Sequence, residues 1–421
     1  MAKASLEKLY KFSTEKNFGE MRTVKDLLKN IKDTSEIVVD LAYSAILFDS
    51  EDIAEEVLDL ENVLSDLLNQ IRIVTILSAR RVDEAESVST LLKIAGAAQK
   101  IGSAAGDIAL LVLRGFKLPK DVINLILRYS EETVVKAVVS ENSEIANKTL
   151  GEVRLHTRTG MRVIAIKREF DWIFNPDRDT KILKGDVLFA RGDISGKPYF
   201  YELVTGERIE IPVEDTELEL EEIDRAVDIL IEMKDLSELA VDLSYSSLIY
   251  ENEDIANEVF YLEEKVDNLK FELKHWVLKS SKKVGDDKLR DLIAILELAT
   301  ASEYIADSAR EIAEIVSDKM DLHPVFFQAM KEADEVLVMF EVGDNCELDG
   351  KTLGDARVET RTGMHIMAIK RRNRWISRPK AGTKLESGDM IIAKGTREGM
   401  DLLRKMCVTK LTQRNSSRAN L

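Results

Sequence analysis

The sequence predicts a multidomain α plus α/β protein, made by tandem duplication of a long-helical unit followed by a compact α/β unit. Three observations carry that reading. The six prolines lie at Pro119, Pro176, Pro198, Pro212, Pro324 and Pro379, so residues 1–118 and 213–323 contain none. Glycine is also absent from 20–95 and from 207–284, and these are the two residue types that cost a helix most. After each breaker-free stretch the pattern switches to short apolar runs bounded by Gly-Asp and Pro. The whole arrangement then recurs at an offset of 202 to 204 residues.

The elements follow in order. Within residues 23–79, Val24, Leu27, Leu28, Ile31, Val38, Leu41 and Ala45 recur at three- and four-residue spacing, the period of an amphipathic helix. A break around residues 49–52, with Ser50 as N-cap, starts a second helix. A third is expected from about Asp83 to Leu113, stopped at Arg114-Gly115 ahead of Pro119. Long helices with short connections predict an antiparallel three-helix bundle. Beyond Pro119 a short helix near 120–130 leads to a strand at 134–139, a small helix at 148–153, and strands at 161–166, 172–174 and 187–190. The expected units are 1–117 and 213–321 (helical), 118–212 and 322–410 (α/β), with 411–421 a flexible tail. The acidic segment from Glu214 to Asp224 joins the halves.

Colinear identities secure the duplication. Lys32, Asp33, Ser35, Glu36, Tyr43 and Ser44 return as Lys234, Asp235, Ser237, Glu238, Tyr245 and Ser246. Residues 157–161 return as 360–364, and Trp172, Pro176, Gly185-Asp186 and Gly192 as Trp375, Pro379, Gly388-Asp389 and Gly395.

The net charge of −17 argues against a nucleic-acid partner, and its acidic excess lies in the helical units. No run reaches the ~18 apolar residues of a membrane span. The first residues lack a secretory signal, and two cysteines form no disulfide framework, so a reducing cytoplasmic compartment is expected. His156, His275, His323 and His365 are scattered and no phosphate-loop fingerprint occurs, so no enzymatic activity is expected. The segment Thr157-Arg158-Thr159-Gly160 reads as a turn entering a strand. Arg158 and its copy Arg361 suit either a salt bridge or a phosphate contact. The basic run from Lys370 to Lys380 is the densest in the chain.

The α/β unit resembles the TrkA-C family, the ligand-binding module of potassium-conductance regulators (RCK proteins). The resemblance rests on Leu150-Gly151, the strand 163–168, Pro176, residues 185–188 and Gly192, and on their copies from Leu353 to Gly395. It implies β-α-β-β-β topology, pairing of modules as a homodimer or an internal pseudo-dimer, and a small anionic ligand, notably the cyclic dinucleotide cyclic di-AMP. The candidate ligand-binding residues are Arg158, Arg168, Ile173 and Pro176 in the first copy, and Arg361, Arg371, Ile376 and Pro379 in the second. Trp172 and Trp375 read as core or module-pairing residues.

The helical unit resembles half of a PhoU protein, whose bundles carry Glu-x-x-x-Asp metal motifs. Glu263, Asp267, Glu303 and Asp307 fit that pattern, and carboxylates four apart share one helix face. An all-oxygen set implies a hard or iron-type cation, Mg, Ca, Mn or Fe, at the second bundle. The first copy departs from the pattern, with Glu61, Ser65, Gln99 and Ser103 in those places. Together the resemblances imply a cytoplasmic regulator, peripheral to a membrane potassium or cation transporter or channel. The alternative they leave open is a metal-binding regulator of phosphate transport or phosphate signalling.

Overall fold

The computed structural model describes residues 22–78, 82–130, 133–141, 143–169, 171–192, 194–209, 221–285 and 288–408. The expected tail and most of the acidic joining segment fall outside these residues, but Glu221 to Asp224 open a helix instead of ending a linker.

The first helical unit is α1 (Val24–Leu47), α2 (Glu51–Ser78) and α3 (Val82–Leu113). Thr23 and Asp26 form a reciprocal capping box that satisfies the orphan amides at the start of α1. Gly115, at φ +73°, turns the chain out of α3 in the left-handed conformation glycine adopts without strain. Helix α4 (Lys120–Tyr129) then leads into β1 (Thr133–Val138), the short helices α5 (Leu150–Val153) and α6 (Leu155–Thr159), the strands β2 (Arg162–Arg168), β3 (Asp171–Phe174) and β4 (Val187–Gly192), and α7 (Lys197–Thr205). The second half repeats the order as α8 (Glu221–Tyr250), α9 (Glu253–Ser280), α10 (Leu289–Ser317), α11 (Val325–Glu332), β5 (Val336–Glu341), α12 (Leu353–Ala356), α13 (Val358–Thr362), β6 (Met364–Arg371), β7 (Arg374–Ser377), β8 (Met390–Gly395) and α14 (Arg397–Cys407).

Two expectations change. Residues 157–159 and 360–362 are helical and do not form a turn: each lies in a five-residue helix that ends on a left-handed glycine, Gly160 or Gly363. The helices closing the modules, α7 and α14, add to the expected order: Pro198 and Gly399 lie in their first turns, and Phe200, Leu203 and Val204 or Leu403, Met406 and Cys407 follow at helical spacing and are buried.

Both sheets are four-stranded and antiparallel, in the orders β1-β4-β2-β3 and β5-β8-β6-β7. Each carries a register shift at the same place, Val163/Ala165 and Ile366/Ala368. Side chains alternate across a sheet, and here the two faces belong to different cores. Val135, Val163, Ile166 and Leu188 join the small core under α7, whereas Val134, Ile164 and Phe189 join the large core of the helices. Leu337, Met367 and Ile392 do the same in the second sheet. Each sheet therefore rests its outer face on the bundles, which couples module position to helix packing.

The halves are also crossed. Helix α11, which leads into the second module, packs on α1 of the first bundle, and α4 packs on α8 of the second. Helices α3 and α10 join the bundles and run antiparallel, since Lys93 meets Glu314 at 3.2 Å while the Arg290 guanidinium donates to the Arg114 carbonyl at 3.2 Å. No described helix is long and apolar enough to cross a membrane.

Candidate functional site

Three constellations stand out: the contact between the modules, an acidic group on the second bundle, and a buried charge network where modules and bundles meet.

The modules touch through α6 and α13. The approach is close: a Cβ on Gly363 would lie 3.1 Å from His156 Nδ1. Arg158 and Arg361 sit on these helices and are half exposed. Arg158 donates to both oxygens of Glu144, at 3.0 and 3.4 Å, whereas Arg361 pairs with one oxygen of Glu347 and donates to the Ala356 carbonyl at 3.3 Å. Arg168 and Arg371 are held inside their modules. The Arg168 guanidinium makes a two-pronged contact to buried Asp186 (2.8 and 2.8 Å) and caps the Lys181 carbonyl at 2.7 Å. Arg371 repeats this with Asp389 and the Lys384 carbonyl. Asp186 and Asp389 also accept the amides of Leu183 and Glu386, so this arginine-aspartate unit closes the loop entering β4 or β8. Ile173 and Ile376 pack against the small module cores. Pro176 and Pro379 follow β3 and β7, partly exposed. Trp172 stacks with Phe174 and Phe189 against the bundle core, and Trp375 packs there too; both serve the junction with the helices.

On the second bundle, α9 and α10 bring Asp267, Glu303 and Asp307 together, with carboxylate oxygens within 4.8 Å of one another. Burial, and after it the charges of Glu303, Glu263 and Asp267, push the Asp307 carboxyl up to about 6. Glu263, the fourth expected ligand, turns to Arg310 at 2.7 Å, and Lys270 pairs with Glu303. The first bundle holds a hydrogen-bonded counterpart with a single carboxylate, Glu61. Gln99 donates to the Ser103 hydroxyl at 3.1 Å, and that hydroxyl donates to Glu61 at 2.9 Å. Glu61 lies over Gly106, where a Cβ would come within 2.3 Å of its carboxylate. A bare glycine thus occupies the place of Arg310.

The charge network is built from the repeated motif of α1 and α8. Lys32 bonds Glu36 at 2.8 Å and Lys234 bonds Glu238 at 2.9 Å, both one turn apart. The two lysines exchange aromatic partners across the halves: Lys32 Nζ lies 5.8 Å from the Tyr245 ring centre, and Lys234 Nζ lies 5.2 Å from that of Tyr43. The modules insert their own charges. Arg191 of β4 grips both oxygens of Asp40 (3.0 and 3.1 Å). Its counterpart on β8, Lys394, lies 2.8 Å from Asp242, 3.2 Å from Glu335 and 3.7 Å from Glu36, so one side chain joins a module to both bundles. Arg162 also pairs with Glu335, and Arg378 with Asp235. Burial opposes the charged form of Glu335, yet Arg162, Lys394 and Arg191 together hold its carboxyl well below the usual range. Glu238, despite Lys234, is pushed up to about 7, chiefly by burial. The copies are thus chemically unequal.

These network residues were not singled out in the sequence. The available signal was that Lys32, Asp33, Glu36 and Asp40 recur as Lys234, Asp235, Glu238 and Asp242, one shared helix face opposite the apolar stripe repeated without change of charge.

With the geometry in hand, the family comparisons are specific. The TrkA-C domain model matches residues 134–205 and 337–408, the two modules, and the PhoU domain model matches 230–316, the second bundle. The chain carries two TrkA-C domains and a PhoU domain. It is similar to an uncharacterized protein of Methanocaldococcus jannaschii, 25% identical over 157 residues, which are 36% of this chain and 52% of that protein. Potassium channel protein 1 of the same organism is 30% identical over 95 residues, 23% of this chain and 28% of that protein. The phosphate-specific transport system accessory protein PhoU homolog of Zymomonas mobilis is 28% identical over 102 residues, 23% of this chain and 43% of that protein. The chain spans about half or less of the length of each. The TrkA-C and PhoU composition supports a regulatory role. The PhoU match falls on the bundle that has the acidic group.

Proposed function

We propose that this protein is a non-enzymatic, cytoplasmic regulator of a membrane potassium or cation channel or transporter. Its TrkA-C domains sense a small anionic ligand of the cyclic-dinucleotide class, and both helical units, the first read as PhoU-like as well, carry that state to the membrane partner. The observation that supports this best is the double use of each sheet: one face on the module's own core, the other on the bundles, with Arg191 and Lys394 crossing the seam. Ligand that binds two module arrangements with different affinity shifts the bundles with them. Arg158 and Arg361 are the arginines best suited to an incoming phosphate. They flank the α6 and α13 contact, and their present carboxylate pairs are exposed and therefore weak. Arg168 and Arg371 each engage an aspartate and a carbonyl of their own module through Nε and Nη2 and serve its loop.

Isothermal titration with cyclic di-AMP and related nucleotides at near-physiological salt tests the ligand. Binding that is weakened in an Arg158→Ala, Arg361→Ala variant supports it, and no heat with any nucleotide removes it. The likeness to a potassium channel protein is what favours a potassium or cation partner, and pull-down from native membranes tests that separately.

A second reading, metal-dependent regulation of phosphate transport, is favoured by the acidic group. Asp267, Glu303 and Asp307 offer three hard oxygen donors, a set that fits a divalent or iron-type ion, and such an ion would supply the positive charge Lys270 now gives Glu303. Metal analysis of protein purified without chelator tests it. Stoichiometric metal that is lost in Asp267→Asn, Asp307→Asn supports this reading, and metal-free protein argues against it.

A further inference from the structure

The two cysteines of the chain, Cys346 and Cys407, are free thiols, and the second module brings them together. Cys346 closes the turn that follows β5, with its amide on the Gly343 carbonyl at 3.2 Å, and Cys407 is the last residue of α14. Two backbone bonds fasten the turn to the helix end. The Gly343 amide donates to the Cys407 carbonyl at 3.0 Å, and the Glu347 amide donates to the Met406 carbonyl at 3.2 Å. The second bond joins the amide just after Cys346 to the carbonyl just before Cys407. Residues related in this way across an antiparallel pair have Cα atoms about 4.5 Å apart, and a disulfide spans about 4.4–6.8 Å. Both side chains enter the same small core, beside Leu403 and Met406.

The two thiols are unequal. Burial, and after it the charge of the Cys346 sulfur, push the Cys407 thiol up to about 12, so it rests protonated. Cys346 is the more reachable: it follows exposed Asp344 and Asn345, and is 8% exposed against 3% for Cys407. The first module supplies the contrast. At the corresponding positions it has Ser143, whose hydroxyl donates to the Leu203 carbonyl at 2.9 Å, and Val204. The backbone contact persists there, with the Ser140 amide on the Val204 carbonyl at 3.1 Å, so neither sulfur is needed to build a module.

We propose that Cys346 and Cys407 form a reversible oxidation site, a dithiol that hydrogen peroxide converts to a disulfide within the second module. The Cys346 thiolate attacks the peroxide and the O–O bond breaks; one oxygen stays on sulfur as sulfenic acid and the other leaves as water. Cys407 then attacks the Cys346 sulfur. The S–S bond forms, the S–O bond breaks, and the Cys407 proton leaves with the hydroxide as a second water. Two thiols give up two electrons, the peroxide takes them, and a dithiol reductant reverses the change. This is the transient kind of disulfide that a reducing compartment permits. The bond fastens the turn to α14, which packs on α13, and Glu347, next to Cys346, holds Arg361 of that helix. Oxidation thus acts on one side of the module contact and in one copy only. The site goes beyond the regulatory reading above and requires neither nucleotide nor membrane partner.

The test is treatment of the full chain with hydrogen peroxide, followed by a thiol count after denaturation and a non-reducing peptide map. The expected result is both thiols present before and none after, with the segments that contain Cys346 and Cys407 joined within one chain. Dithiothreitol should restore both thiols, which separates this change from methionine oxidation. Cys407→Val should stop at a sulfenic acid on Cys346 that dimedone traps, whereas Cys346→Ser should leave Cys407 unreactive. Both substitutions copy the first module, and the measurements on wild-type protein decide the matter even where a variant fails to fold. The proposal is overturned if both thiols survive peroxide, if the disulfide joins two chains, or if the lost thiols do not return with dithiothreitol.

Discussion

Replacing Lys394 by methionine isolates the coupling element. The side chain keeps its length and apolar stem but loses the charge that faces Asp242, Glu335 and Glu36 at 2.8, 3.2 and 3.7 Å. Glu335 retains Arg162 and Arg191, so its share of the loss is partial. Asp242 is left buried without this partner. Removing one member of a buried ion pair costs about 3–5 kcal/mol, because the stranded charge keeps its desolvation penalty. The double substitution Lys394→Met, Asp242→Leu removes that stranded charge and should recover most of the loss, since an apolar pair of similar volume packs at little cost. The assay is equilibrium urea unfolding followed by tryptophan fluorescence, with Trp375 reporting the second module and Trp276 the second bundle. Wild type should show the two reporters moving together, and Lys394→Met should lower the midpoint of the Trp375 transition first. A loss below about 1 kcal/mol, or a double variant no more stable than the single one, would refute the claim that this lysine is the fastening between module and bundle.

The pH response should turn on Glu238, whose folded carboxyl is pushed up to about 7 from an ordinary 4.5. The folded state therefore holds its proton where the unfolded chain has lost it, and this group's contribution to stability falls as pH rises from about 4.5 to about 7. Glu36 and Glu335, held low, act in the opposite sense and lose their contribution as pH falls. Glu238→Gln should flatten the decline between pH 5 and 8 by about 2–3 kcal/mol in urea titrations, and an unchanged slope counts against the assignment. Gly395→Ala places a Cβ 2.4 Å from the Gly363 carbonyl oxygen and 2.7 Å from Met364 Sδ. It should destabilise the second module by about 2–3 kcal/mol, and a melting temperature equal to wild type would show that the backbone there yields. Arg371→Lys gives up the two-pronged contact to Asp389 and should cost about 1–3 kcal/mol of module stability. Nucleotide affinity at the α6 and α13 contact should be unchanged, which calorimetry can check.

Much of this molecule was legible in the sequence, for local reasons. Long breaker-free periodic stretches can only be helices, and α1, α2 and α3 begin and end within a few residues of where the spacing, Ser50 and Arg114-Gly115 place them. Alternation and Gly-Asp boundaries placed the strands, and the 202-to-204 offset placed the second copy. The acidic pairs were legible too, because a four-residue helical step fixes which side chains share a face. The step could not show that Glu263 turns to Arg310 while Asp267, Glu303 and Asp307 converge, since that depends on which cation the neighbouring helix presents.

Only the tertiary structure decided the rest. Lys32, Asp33, Glu36 and Asp40 read as the polar side of an amphipathic helix until β4, β8 and the second bundle supply Arg191, Lys394 and Tyr245. A charge is tolerated in the interior only when partners arrive from elsewhere in the chain, and those partners lie about 150 to 360 residues away. The inequality of Glu36 and Glu238 has the same origin. Sequence made them copies; Lys394 beside Glu36, and Asp40 and Asp235 beside the buried Glu238, made them different groups.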